Sequence, residues 1–120
     1  MLLKDTTTEQ NIPVHLLPRI NYKENYNNKL NCIYYTSIRL ESEHWEINRS
    51  YLVNLKGQKH HIATIESIVK MRLEDLTDYL TFPDCALPAC RTIQFMQNLY
   101  PKEDFTKKHI YLITFKKVRY

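Results

Sequence analysis

Apolar and polar positions alternate at period two in several stretches of this chain and recur at helical spacing in two others. CIYYTSIRL, Cys32 to Leu40, concentrates β-branched and aromatic residues and predicts a strand. RSYLVNL then places Tyr51, Val53 and Leu55 on one face, and the turn LKGQKH holds the only glycine, Gly57, so a hairpin is predicted. The return strand covers about His60 to Lys70, with both faces at least half apolar, which suits a central position. MRLEDLTDYLTF carries Leu73, Leu76 and Leu80 at helical spacing and predicts a short amphipathic helix. A second helix is expected over Ala89 to Leu99, with Ile93, Met96 and Leu99 as its buried stripe and Pro101 beyond its end. HIYLITFKKV is the last strand.

The first thirty residues predict irregular structure that adds little to the core. Pro13 and Pro18 break helices, and NYKENYNNKLN carries only turn signals. Only the first ten residues read as disordered. The order of elements lacks a βαβ alternation and a glycine-rich phosphate loop, which argues against a Rossmann or P-loop fold. A small, mixed, partly closed β-barrel with two helices at its side is the expected α+β architecture, with an N-terminal extension over residues 1–30 and the domain proper over 31–120.

Composition narrows the class. At 120 residues, 43% hydrophobic and 25% charged, the chain suits one domain with one core. No window has the length of apolar sequence that spans a membrane, and MLLKDTTTEQ lacks the features of a signal peptide, so a cytoplasmic location is expected. Cys32, Cys85 and Cys90 form no CxxC pair and are expected to be reduced, mostly buried thiols. The net charge of +4 comes entirely from residues 51–120, and the last sixteen residues hold Lys107, Lys108, Lys116, Lys117 and Arg119 without an acid. That basic end suits phosphate contacts and equally suits an edge strand guarded by lysines.

The chemistry concentrates in TSIRLESEHWEINRSYLV. On a strand, Ser37, Arg39 and Glu41 line one surface, where the guanidinium can grip a phosphate or a carbonyl edge; a solvated ion pair worth well under about 1 kcal/mol is the plainer alternative. Trp45 is either a stacking platform for a base or a lid on the core edge. Asp84 sits between Pro83 and Pro88, in a loop expected to hold a carboxylate still. His60 and His61, adjacent in a strand, are expected on opposite faces, which argues against a paired ligand site. No metal or cofactor site is expected, and no serine stands in a GxSxG context.

The run TSIRLESE followed by Trp45, then YLV, a hairpin, ATIESIVKMRLEDL, a loop acid, a helix ending in NLYP and a closing IYLITF resembles the ASCH family of PUA-like domains. The likeness covers about Ile33 to Val118, with Asn48 where the family has a glycine; asparagine also tolerates a left-handed backbone. The resemblance implies a small barrel with a cleft between barrel and helices that recognises RNA or a modified nucleoside. Some relatives are amidohydrolases of N4-acetylcytidine that use a lysine, a hydroxyl and a loop carboxylate. Position by position, the hydroxyl falls on Ser37, the carboxylate on Asp84 and the lysine on Tyr34. Lys29 substitutes for that lysine only if its loop folds back. The resemblance therefore implies a binding cleft of Tyr34, Ser37, Arg39, Glu41, Trp45 and Asp84, with Lys107, Lys108, Lys116 and Lys117 as phosphate contacts. The alternative is an amidohydrolase in which Ser37 and Asp84 are catalytic. The N-terminal thirty residues are expected to serve as a lid or as an arm that pairs with a second copy in a homodimer.

Overall fold

The computed structural model describes residues 13–119. The expected disorder of the first ten residues lies outside that range. Five strands are present: β1 (Arg19–Tyr22), β2 (Tyr34–Leu40), β3 (Ser50–Leu55), β4 (Gln58–Met71) and β5 (Ile110–Arg119). Two helices, α1 (Asp78–Cys85) and α2 (Ala89–Leu99), lie between β4 and β5 in sequence. The strands form one sheet in the order β1-β3-β4-β5-β2, with β1 parallel to β3 and the other pairs antiparallel.

The two edge strands of that sheet meet. Five flat strands would hold β1 and β2 about 19 Å apart at the usual spacing. Yet the Tyr22 hydroxyl on β1 donates to Ser37 Oγ on β2 at 2.9 Å. The sheet is therefore rolled into a half-barrel whose seam is bridged by side chains rather than by a backbone ladder. Alternation fills the inside with Ile20, Tyr35, Tyr51, Val53, Ala63, Ile65, Ile113 and Phe115. Tyr35 stacks on Phe115 with ring centroids 5.5 Å apart. On the outer face, Leu73, Leu76, Met96 and Ile110 bury the helical layer against the sheet.

Local geometry explains the turns. Leu55 pairs with Gln58, and the two residues between them, Lys56 and Gly57, have φ of 53° and 81°, the type I′ arrangement whose twist matches a hairpin. Asn48 has φ 69°, so the position read as a glycine substitute is left-handed as expected.

Several expectations need correction. Residues 13–30 are not irregular: Pro18 precedes a short strand, and Leu17, Ile20, Tyr22 and Leu30 are all buried. The helix expected over residues 71–82 starts later. β4 runs through Met71, a 3-10 turn (Leu73–Asp75) buries Leu73 and places Leu76 in the core at its three-residue spacing, and α1 begins at Asp78. Asp84 consequently lies in the last turn of α1 rather than in the proline loop. The cysteines are not buried: Cys32 and Cys90 are exposed and Cys85 is half-buried. Cys32 follows a 3-10 turn at the surface, and Cys90 lies off the α2 face defined by the buried Thr92 and Met96.

Adjacent His60 and His61 also fail to take opposite faces. Val53 pairs with His61 while Asn54 pairs with Lys59, so His60 is the extra residue of a β-bulge and the alternation breaks there. His60 Nδ1 lies 2.8 Å from His61 Nδ1, and His61 Nε2 lies 2.5 Å from the Tyr35 hydroxyl. Burial holds His61 at a pKa of about 3, with Lys117 and His60 adding to the effect, while burial pushes the Tyr35 hydroxyl up. His61 is therefore a neutral ring that hydrogen-bonds through Nε2 to the Tyr35 hydroxyl and through Nδ1 to His60, one ring nitrogen donating and the other accepting.

Candidate ligand cleft at the barrel seam

A cavity of about 390 Å³ opens where the barrel seam meets the helices. Its polar side comes from β1, the turn after it, β2 and the end of α1: Tyr22, Lys29, Ser37, Arg39 and Asp84 line it. Its apolar side comes mostly from α2, through Phe95, Met96 and Leu99, with Tyr26 and Leu87 at the rim. Leu99, expected in a buried stripe, is 52% exposed here, and Phe95 is 48% exposed. Exposed apolar side chains gathered around a concave polar floor are a mark of a binding site rather than of core packing.

Lys29 reaches this cavity because its loop does fold back. Asn27 and Asn28 take left-handed φ values of 57° and 54° inside the 3-10 segment (Tyr26–Asn31) and reverse the chain. Asn27 Nδ2 then donates to the carbonyls of Phe82 and Pro83 in α1 at 3.2 and 3.0 Å. Asn25 Oδ1 accepts from the Leu30 amide at 2.9 Å. These contacts deliver Lys29 to Asp84, with Nζ 3.1 Å from Oδ1 and both residues only 5% exposed. Thr36 Oγ1 donates to the same Asp84 oxygen at 2.9 Å. A lysine, a hydroxyl and a carboxylate thus converge, with Thr36 rather than Ser37 as the hydroxyl that touches the carboxylate.

Ser37 serves the seam instead. It is 2% exposed and accepts from the Tyr22 hydroxyl and from Arg39 Nε, each at 2.9 Å. The Arg39 guanidinium lies 4.8 Å from the Tyr22 ring centre and 5.8 Å from that of Trp45. Trp45 is not a cavity wall. It packs on Tyr51 and on the core edge, and its link to the cleft runs through Arg39.

The other expected site residues lie elsewhere. Tyr34 points to the outer face, 56% exposed, with Lys116 Nζ 5.8 Å from its ring, because β2 alternation puts it opposite Tyr35. Glu41 lies just past the end of β2, where Lys70 Nζ approaches at 3.0 Å and the His109 amide donates to it at 3.3 Å; the hydrogen bond from Lys70 holds its carboxyl below the usual range. The four lysines do not make one track. Lys107 and Lys108 precede β5, and Lys116 and Lys117 near its far end are about 30 Å away at strand rise. Lys117 is buried, on the face opposite Lys116.

A second hollow of about 420 Å³ lies between the 3-10 turn (Leu73–Asp75) and the segment after α2. Its polar groups engage one another. Arg72 Nε meets Glu74 Oε1 at 2.6 Å, and Asp104 Oδ1 accepts from the Thr106 amide and hydroxyl. It therefore offers fewer uncommitted groups to a ligand than the seam cavity.

The half-barrel with its two flanking helices has the fold of a known ASCH domain structure. The ASCH domain from Lactobacillus crispatus JV V101 superposes over 99% of this chain and 92% of its own, with a TM-score of 0.67 and 13% sequence identity. A protein from Enterococcus faecalis V583 assigned to the family model DUF984 superposes over 98% of this chain and 90% of its own, with a TM-score of 0.65 and 9% identity. No family model and no curated protein matches the sequence. Among the described residues no helix is long and apolar enough to cross a membrane.

Proposed function

We propose that the seam cleft binds a single nucleoside-sized ligand, with the base against Phe95 and Leu99 and the ligand's polar atoms toward Arg39 and the Lys29–Asp84 pair. The observation that carries this reading is the two-sided lining of a 390 Å³ cavity, apolar from α2 and polar from β2 and the Lys29 turn. That volume lies at the small end of ligand sites, which suits one nucleoside better than a strand of RNA. The separation of the four β5-region lysines points the same way.

A second reading, hydrolysis of an N4-acylated cytidine, is favoured by one observation: Lys29, Thr36 and Asp84 meet within hydrogen-bond distance. Against it, Thr36 is not among the lining residues, and the lining serine, Ser37, is nearly inaccessible. A nucleophile has to reach the scissile carbonyl.

Trp45, the single tryptophan, reports on Arg39 and so on ligand entry. Titration with cytidine and with N4-acetylcytidine is expected to give a saturable change in its emission, without release of acetate. No saturable change up to millimolar nucleoside would remove the binding reading. Turnover of N4-acetylcytidine that disappears in Thr36→Val would establish the hydrolytic one.

A further inference from the structure

The charges around the cleft do not balance. Lys23, Lys29 and Arg39 line it with Asp84 as the single carboxylate. Asp84 is committed to Lys29 at 3.1 Å. Glu41, two residues beyond Arg39, is turned away by Lys70 and the His109 amide, and Glu46 pairs with Arg49 at 3.7 Å. Among the described residues no carboxylate reaches Arg39 or Lys23.

Arg39 is moreover fixed in place without a counter-charge. Rings of Tyr22 and Trp45 flank its guanidinium, and Nε is held by Ser37. The edge bearing Nη1 and Nη2 makes no hydrogen bond among the described residues. That edge matches two oxygens of a phosphate, and a half-buried arginine pre-oriented by rings loses little freedom when it accepts one. Aromatic rings offset part of the cost of taking the cation out of water, but they cannot neutralise it.

We infer that the cleft takes a nucleoside monophosphate rather than a neutral nucleoside, with the phosphate seated on the Nη edge of Arg39 and Lys23 adding charge at the rim. This rests on the nucleoside reading above and adds the anionic group to it. Bases are not distinguished by these contacts.

The test compares the four nucleosides, their 5′-monophosphates and inorganic phosphate by isothermal titration at low salt. The monophosphates are expected to bind about tenfold or more tighter than the matching nucleosides, the worth of one charge-assisted contact. In Arg39→Gln that ratio should fall close to one, and in Lys23→Gln, an exposed position that folding does not depend on, it should fall part of the way. Raising the salt should shrink the wild-type ratio. Equal binding of nucleoside and monophosphate by the wild-type chain would overturn the inference and leave the nucleoside reading standing. So would a ratio untouched by both substitutions. Binding of neither would defeat both readings, and inorganic phosphate binding as tightly as the monophosphates would show an anion site without a base site, which also contradicts the inference.

Discussion

Asp84→Ala is expected to destabilise the protein by about 3 to 5 kcal/mol, the cost of stranding a buried charge. Among the described residues, Lys29 Nζ would lose the one carboxylate it touches and would keep the Tyr22 ring, 5.3 Å away, in a site 5% exposed. Thr36 would lose its acceptor as well. Domains of this size hold about 5 to 15 kcal/mol in all, so a large part of the margin is at stake. Replacing both charges, Lys29→Met with Asp84→Leu, should recover most of the loss, because a well-packed apolar pair avoids the desolvation of two ions. Urea unfolding of the wild type, the two singles and the double measures this directly. An Asp84→Asn cost below about 1 kcal/mol would mean that the pair is hydrated and the cavity floor is not built on it. The double variant serves the functional question too: a protein that is stable again but no longer binds nucleoside would separate the pair's role in the ligand site from its role in folding.

Acid should weaken the fold well before the carboxylates titrate. His61 is neutral and fully buried, with a pKa of about 3 in the fold against about 6.5 when unfolded. Between those values the unfolded chain binds a proton that the folded chain refuses, so stability falls as pH drops through 6.5 and stops falling on this group's account near 3. The slope is at most about 1.4 kcal/mol per pH unit from one histidine. Groups from three strands face the ring: Tyr35 of β2 and His60 of β4 hydrogen-bond to it, and Lys117 of β5 adds positive charge. His60, also lowered by burial and by Lys117, contributes with the same sign. Glu41 and Asp104 are both held below their usual range by hydrogen bonds, so their stabilisation is lost only as pH falls below about 4.5. Denaturant midpoints between pH 7 and 5 therefore isolate the histidines. A flat profile there, or an unchanged slope in His61→Gln, would contradict the buried neutral ring.

Much of this architecture can be read from pattern. Strands β2 to β5 show period two because one face of the sheet fills the barrel core while the other is only partly covered, and Gly57 and Asn48 mark two of the positions where φ is positive. Helix α2 is bounded by Pro88 and Pro101, and its predicted limits hold. What pattern could not give was anything set by distant parts of the chain. β1 has only four residues and pairs in parallel with a strand some thirty positions later, so RINY carries too short a signal. Lys29 and Asp84 are 55 residues apart and meet only because Asn27 and Asn28 turn the chain back. The Asn-Asn pair was the available clue, since asparagine is the residue after glycine that best tolerates that backbone. The histidine pair was misread because a bulge cancels the alternation on which the reading relied.

The seam cleft as a nucleoside-sized binding site is tested most directly by a crystal structure of the protein soaked with a nucleoside monophosphate and with its nucleoside. The expected result is a base against Phe95 and Leu99, with polar atoms of the ligand within hydrogen-bond distance of Arg39 and the Lys29–Asp84 pair. A ligand seated in the hollow beside Arg72 and Asp104, or an unliganded seam at saturating concentration, would contradict it.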